Sequence, residues 1–203
     1  MTISSYDDPE TEDVETYKVT RGDSFQGQHE TGRNWYNPSL LEIGKAKYDN
    51  DGSFAMKELA SLTLENITFD DAGKTEGKYY LQAGIEGLPA GATSGNIVQD
   101  AIIATYSNTS EITLGAGAVL KNYGGMSAVH LADGTLTMES GSKIIDDSVT
   151  DRTKGDAGSF GPAGAVWMQG GTFTMEEGAV VGSENSESPM IGRGVYIDAG
   201  EVS

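Results

Sequence analysis

Three rings stand at the centre of one recurring phrase. His130, Trp167 and Tyr196 occupy matching places in SAVHLADG (127–134), GAVWMQGG (164–171) and RGVYIDAG (193–200). Alternation along a strand sends neighbouring side chains to opposite faces, and stacked strands lie about 4.8 Å apart. If Val129, Val166 and Val195 face inward with Leu131, Met168 and Ile197, the three rings point outward as a ladder. Asp133, Gln169 and Asp198 follow them in the same phrase, so the ladder could stack on sugar rings and hydrogen-bond their hydroxyls. The competing reading is a ladder that stabilises the sheet face or packs beneath a loop.

Acidic pairs are the second source of chemistry. Asp70-Asp71 and Asp146-Asp147 follow strand-like segments, and their hard oxygens suit calcium, although solvated carboxylates explain them as well. Asp49, Asp51, Gly52 and Glu58 overlay part of an EF-hand loop, but Lys47 holds the first ligand position and Asn50-Asp51-Gly52 reads as a plain turn. Arg21-Gly22-Asp23-Ser24 spells the integrin-binding tetrapeptide within VTRGDSFQG, where a bend at Gly22 and an inward Phe25 account for it. Thr113, Thr137 and Thr174, with Thr135 and Thr172, form a T-x-T array of the kind that binds ice, but it is short and runs into Glu139 and Glu176. β-Propensity accounts for these threonines.

The elements that must position these residues are repeats. EITLGAGAVLKN (111–122), TLTMESGSKIID (135–146) and TFTMEEGAVVGS (172–183) align, each associated with a copy of the phrase above. The order is an AV-type strand, a glycine turn, a T-x-T strand, another glycine and a short third strand. Stacking the units gives columns Ile112–Leu136–Phe173, Leu114–Met138–Met175, Val129–Val166–Val195 and Leu131–Met168–Ile197, with Leu120–Ile144–Val181 opposite the first two. Gly117, Gly141 and Gly178 stack at a corner, where a residue without Cβ can take the left-handed conformation a sharp bend needs. Each unit alone exposes an apolar face that only a neighbouring unit buries. Earlier, SLTLENITFDD (61–71) repeats the pattern, residues 40–44 read as the strand before it, and residues 17–27 as an earlier turn. Residues 74–96 read as a long excursion.

Composition narrows the function. Among 203 residues, 31 Asp and Glu against 13 Lys and Arg give a net charge of −18. This argues against a nucleic-acid binder, which needs clustered basic residues, and against docking on anionic lipid. No apolar run reaches membrane-spanning length, so no membrane insertion is expected. Cysteine is absent, which removes disulfides, thiol nucleophiles and Cys-ligated zinc. The 28 glycines are roughly double the usual share. Residues 1–15 read as an acidic lead-in or linker and 16–203 as a single domain. The last ten residues read as a strand, a turn and the start of another strand, so a fragment of a longer protein with neighbouring domains is expected.

Three short strands per coil, glycine corners and variable loops describe an all-β chain, a right-handed parallel β-helix solenoid. ASLTLENITFDD and GGTFTMEEGAVVG resemble the β-helix regions of large cell-surface proteins of Gram-positive bacteria, within the pectate-lyase-like superfamily. That resemblance implies an exported, wall-anchored, extracellular segment used in attachment; a host glycan or host surface protein is the expected partner, and no cofactor is expected apart from the calcium that the acidic pairs could hold. Enzymes occur on the same scaffold, as lyases or hydrolases with paired acids. Asp146, Asp147 and Asp151 with Arg152 and Lys154 form the one dense cluster here. No Gly-His-Gly follows the Asp pair; Arg152-Thr153-Lys154 spells Arg-x-Lys shortly after it, but basic residues for holding an acidic polymer are scarce at this net charge, so no catalytic residue is assigned, and a carbohydrate-active enzyme is the second reading.

Overall fold

Short alternating segments rich in Val, Ile, Leu and Thr, punctuated by glycine, favour extended backbone, and the chain is all-β, with no helix among the described residues. The structure, a computed structural model, describes residues 1–5, 17–20, 39–43, 47–48, 54–55, 60–70, 101–105, 107–123, 127–145, 164–183, 193–197 and 201–202. Its strands in chain order are β1 (Thr2–Ser4), β2 (Tyr17–Thr20), β3 (Leu41–Ile43), β4 (Lys47–Tyr48), β5 (Phe54–Ala55), β6 (Ser61–Glu65), β7 (Ile67–Asp70), β8 (Ala101–Thr105) and β9 (Glu111–Leu114). There follow β10 (Val119–Lys121), β11 (Ser127–Leu131), β12 (Thr135–Met138), β13 (Lys143–Ile145), β14 (Gly164–Met168), β15 (Thr172–Met175), β16 (Val180–Gly182), β17 (Arg193–Ile197) and β18 (Glu201–Val202).

Apart from the antiparallel pair β4–β5, the strands form three parallel sheets. Sheet A runs β1-β6-β9-β12-β15-β18, sheet B β2-β7-β10-β13-β16, and sheet C β3-β8-β11-β14-β17. The chain visits A, B and C in rotation, so each strand pairs with its counterpart one round earlier and one round later. Residues 1–5, expected in the acidic lead-in, contribute β1, whose Thr2, Ile3 and Ser4 pair with Thr63, Leu64 and Glu65. Strand pairing supplies the reason: Ile3 continues the inward column of Leu64, Leu114, Met138 and Met175.

Register places the expected columns as the repeats require. Ile112, Leu136 and Phe173 align, as do Val129, Val166 and Val195, and Leu120, Ile144 and Val181. Residues from all three sheets join one apolar core, in which Leu62, Leu64, Phe69, Ile103, Leu114, Leu120, Leu131, Leu136 and Phe173 are buried. Burying each such side chain contributes about 1.5–3 kcal/mol. A one-residue slip would turn every inward residue outward, so this burial also fixes register. The inward columns open at the first and last rounds, where Tyr17, Met175 and Ile197 are 47%, 37% and 48% exposed.

The corners differ in kind. From A to B the last three rounds use four residues each, 115–118, 139–142 and 176–179, with Gly117, Gly141 and Gly178 at φ of 70°, 82° and 91°. Asn66 alone turns the earlier corner, at φ 47°; asparagine tolerates the left-handed region better than most residues with a side chain. From C to A the first connection, 44–60, carries β4 and β5, whereas the later ones are short, and at Gly134 a Cβ would come within 2.6 Å of both the Ser107 and Ser110 carbonyl oxygens. The connections from B to C vary most, spanning 21–40, 71–100, 122–126, 146–163 and 183–192.

Candidate functional site

The ring ladder forms in register: His130 pairs with Trp167, and Trp167 with Tyr196. His130 and Trp167 stack with centroids 4.3 Å apart and planes 20° from parallel. Ala104 and Glu42 precede them in the same column. His130 Nε2 donates to Gln169 Oε1 at 2.8 Å, while the Gln169 backbone N–H donates to Leu131 O at 2.8 Å. The Gln169 residue is itself exposed.

The expected exposure of the ladder is corrected by the structure. His130 is 1% and Trp167 3% exposed, and Tyr196 is half-buried. Val129, Leu131, Val166 and Met168 do face inward, so strand alternation puts the rings on the opposite face as expected. That opposite face is closed as well: Ile102, Ala104, Ala128 and Ala165 share it and are buried. Period-two patterning assigns a side chain to a face and says nothing about what lies over that face. The first two rings therefore act as packing groups in this arrangement, and a sugar cannot reach them without displacing that packing.

Burial lowers the His130 pKa from 6.5 to about 4, opposed by the Gln169 hydrogen bond, which raises it. The imidazole is thus neutral at pH 7. Asp133 caps its own turn, its Oδ1 accepting from the Gly134 N–H at 2.8 Å. Asp198 lies outside the described residues, so the polar set beside the rings is described at Asp133 and Gln169.

Of the calcium candidates, Asp70 is described and Asp71, Asp146 and Asp147 lie outside the described residues. Asp70 Oδ2 takes the Lys18 ammonium at 3.4 Å, and Oδ1 accepts from Asn122 Nδ2 at 3.2 Å. Both of these neighbours present N–H donors to the carboxylate. Among the described residues no group of three or more His, Asp and Glu could hold a metal. The Arg21-Gly22-Asp23 motif, the loop-like Asp49–Gly52 segment and the Asp146–Lys154 cluster lie outside the described residues.

Register also brings together residues that motif reading left apart. Thr2 and Thr63 extend the threonine array to Thr2–Thr63–Thr113–Thr137–Thr174. Beside it, over Gly115, Glu65 and Glu139 approach from either side: a Cβ on that glycine would meet Glu65 Cγ at 2.9 Å and Glu139 Oε2 at 3.4 Å. The signal was present in the sequence, since Glu65, Glu139 and Glu176 each directly follow a Thr-Leu or Thr-Met pair, Thr63-Leu64, Thr137-Met138 and Thr174-Met175. Compared with known proteins, the chain matches no family model, and no curated protein or solved structure is significantly similar to it.

Proposed function

We propose that the three sheets form a right-handed parallel β-helix, three short strands per coil, serving as a non-enzymatic structural and adhesive segment of a bacterial surface protein. Its binding groups would be outward side chains and the long connections, with a host glycan or host surface protein as partner. One observation carries this reading: the A-to-B corner keeps four residues over the last three rounds, while the B-to-C connections range from 122–126 to 71–100. A scaffold that holds its register while one corner accepts very different lengths is suited to displaying those segments, as loops on a rigid frame commonly carry binding. The acidic excess, −18 over the whole chain, favours solubility over adhesion to other polyanions.

Shortening one connection tests the proposal. Replacing residues 147–162 with a five-residue link copied from 122–126 should leave far-UV strand signal unchanged and lower the melting temperature by no more than a few degrees. On a host-glycan array and a panel of immobilised matrix proteins, signal seen with the parent should fall at least tenfold in the shortened chain. Equal binding by the two would remove display by that connection. Depolymerisation of polygalacturonate or another acidic polysaccharide by the purified chain would replace this reading with the enzymatic one.

A further inference from the structure

Sheet B brings an amine, a carboxylate and a carboxamide together from three successive rounds. Lys18 on β2, Thr68 on β7 and Val119 on β10 share one column, and Thr20, Asp70 and Lys121 share the next. Ile67 and Phe69 are buried in the core, so strand alternation puts both columns on the outward side. Lys18 reaches diagonally, its Nζ lying 3.4 Å from Asp70 Oδ2. From one residue past β10, Asn122 Nδ2 donates to Asp70 Oδ1 at 3.2 Å. A single carboxylate thus holds a primary amine on one oxygen and a primary carboxamide on the other. The carboxylate is only 13% exposed, whereas the lysine is 57% exposed. Asn122 is also fixed by its backbone, with φ of 50° and its N–H donating to Ile145 O at 3.0 Å.

We propose that Lys18 and Asn122 join through an intramolecular isopeptide bond, with Asp70 as the acid–base that moves the proton between them. Holding both reacting groups on one carboxylate replaces a chance encounter by a local one. The exposed lysine loses its first proton to solvent and is nucleophilic only as the free amine, so alkaline solution speeds the step. Nζ attacks Asn122 Cγ. Asp70 then takes a second proton from Nζ through Oδ2 and delivers it to Nδ2 through Oδ1. The Nζ–Cγ bond forms, the Cγ–Nδ2 bond breaks, ammonia leaves and Asp70 ends as it began. One amide replaces another, so neither an oxidant nor a co-reactant is needed. The product ties β2 to the end of β10 across the intervening β7. It closes residues 19–121 into a covalent loop, which limits how far the first three rounds can come apart.

Mass spectrometry reads the step directly. The purified chain, held at pH 9, should become lighter by one ammonia, and digestion should yield a branched peptide joining Lys18 to Asn122. Lys18→Arg keeps a cation beside Asp70 and should stay at full mass. Register places a second amine, Lys121, next to Asp70, and Lys121→Arg should lose ammonia as its parent does. Asp70→Asn should slow the loss at least tenfold, with far-UV strand signal unchanged; Asp70→Ser serves if that variant fails to fold. The proposal is overturned if the parent keeps its full mass through prolonged incubation. It is equally overturned if Lys18→Arg loses ammonia at the parent's rate, the sign of an asparagine closing on its own backbone, or if replacing Asp70 leaves the rate unchanged.

Discussion

At the level of single residues, two buried features make opposite demands. Thr105 continues the inward column of Leu131, Met168 and Ile197, yet its Oγ1 is buried without a hydrogen-bond partner among the described residues. Replacing that hydroxyl by a methyl removes an unsatisfied polar atom, so Thr105→Val should stabilise the fold by about 1 kcal/mol, measured by urea denaturation. Gly134 shows the reverse case. Its φ of 96° and two carbonyl oxygens at 2.6 Å from a Cβ position leave no room for a side chain. Gly134→Ala should cost roughly 3 kcal/mol through strain and backbone displacement, read as a lower denaturation midpoint. For His130 the folded pKa lies below the unfolded one, so its contribution is fully present above pH 6.5 and is lost as pH falls toward about 4. The loss amounts to at most about 3 kcal/mol. Between pH 7 and 4 the unfolding free energy of the parent should therefore fall more than that of His130→Phe.

At the level of strands, position in the stack sets the value of a side chain. Leu136 on β12 is fully buried with Ile112 and Phe173 as its column neighbours, and Leu136→Ala should cost about 3–4 kcal/mol. Ile197 on β17 lies in an equally apolar column but is 48% exposed, and Ile197→Ala should cost below about 1 kcal/mol; parallel urea titrations would check the contrast. These columns were legible in the sequence because a T-x-T strand and an AV strand recur around fixed glycines, and period-two alternation then gives the inward face. β8 was not singled out: AIIAT has no alternation, being buried on both sides, and it lacks the neighbouring glycine phrase. The same double burial hid the state of His130 and Trp167. Alternation located their face correctly, but it carries no information on whether that face is open to solvent.

For the molecule as a whole, neighbour-on-neighbour stacking predicts graded stability. Inner rounds are covered on two sides and end rounds on one, as the exposure of Tyr17, Val19, Met175 and Ile197 records. Amide hydrogen exchange should therefore be slowest in β9 and β12 and fastest in β2, β17 and β18, with a gradient of several kcal/mol between them; uniform protection would contradict it. The parallel registers carry a mechanical consequence as well. Among the described residues the inter-strand hydrogen bonds of the three parallel sheets lie along the direction in which rounds succeed one another, and rungs such as Leu136 between Ile112 and Phe173 are linked in series. Tension along that direction opens one rung at a time, like a zip, and each yielding step releases one round of chain. Tension across a round loads a whole row of bonds in shear at once and meets much greater resistance. A tether made this way would lengthen under axial load in small increments and absorb work at each one.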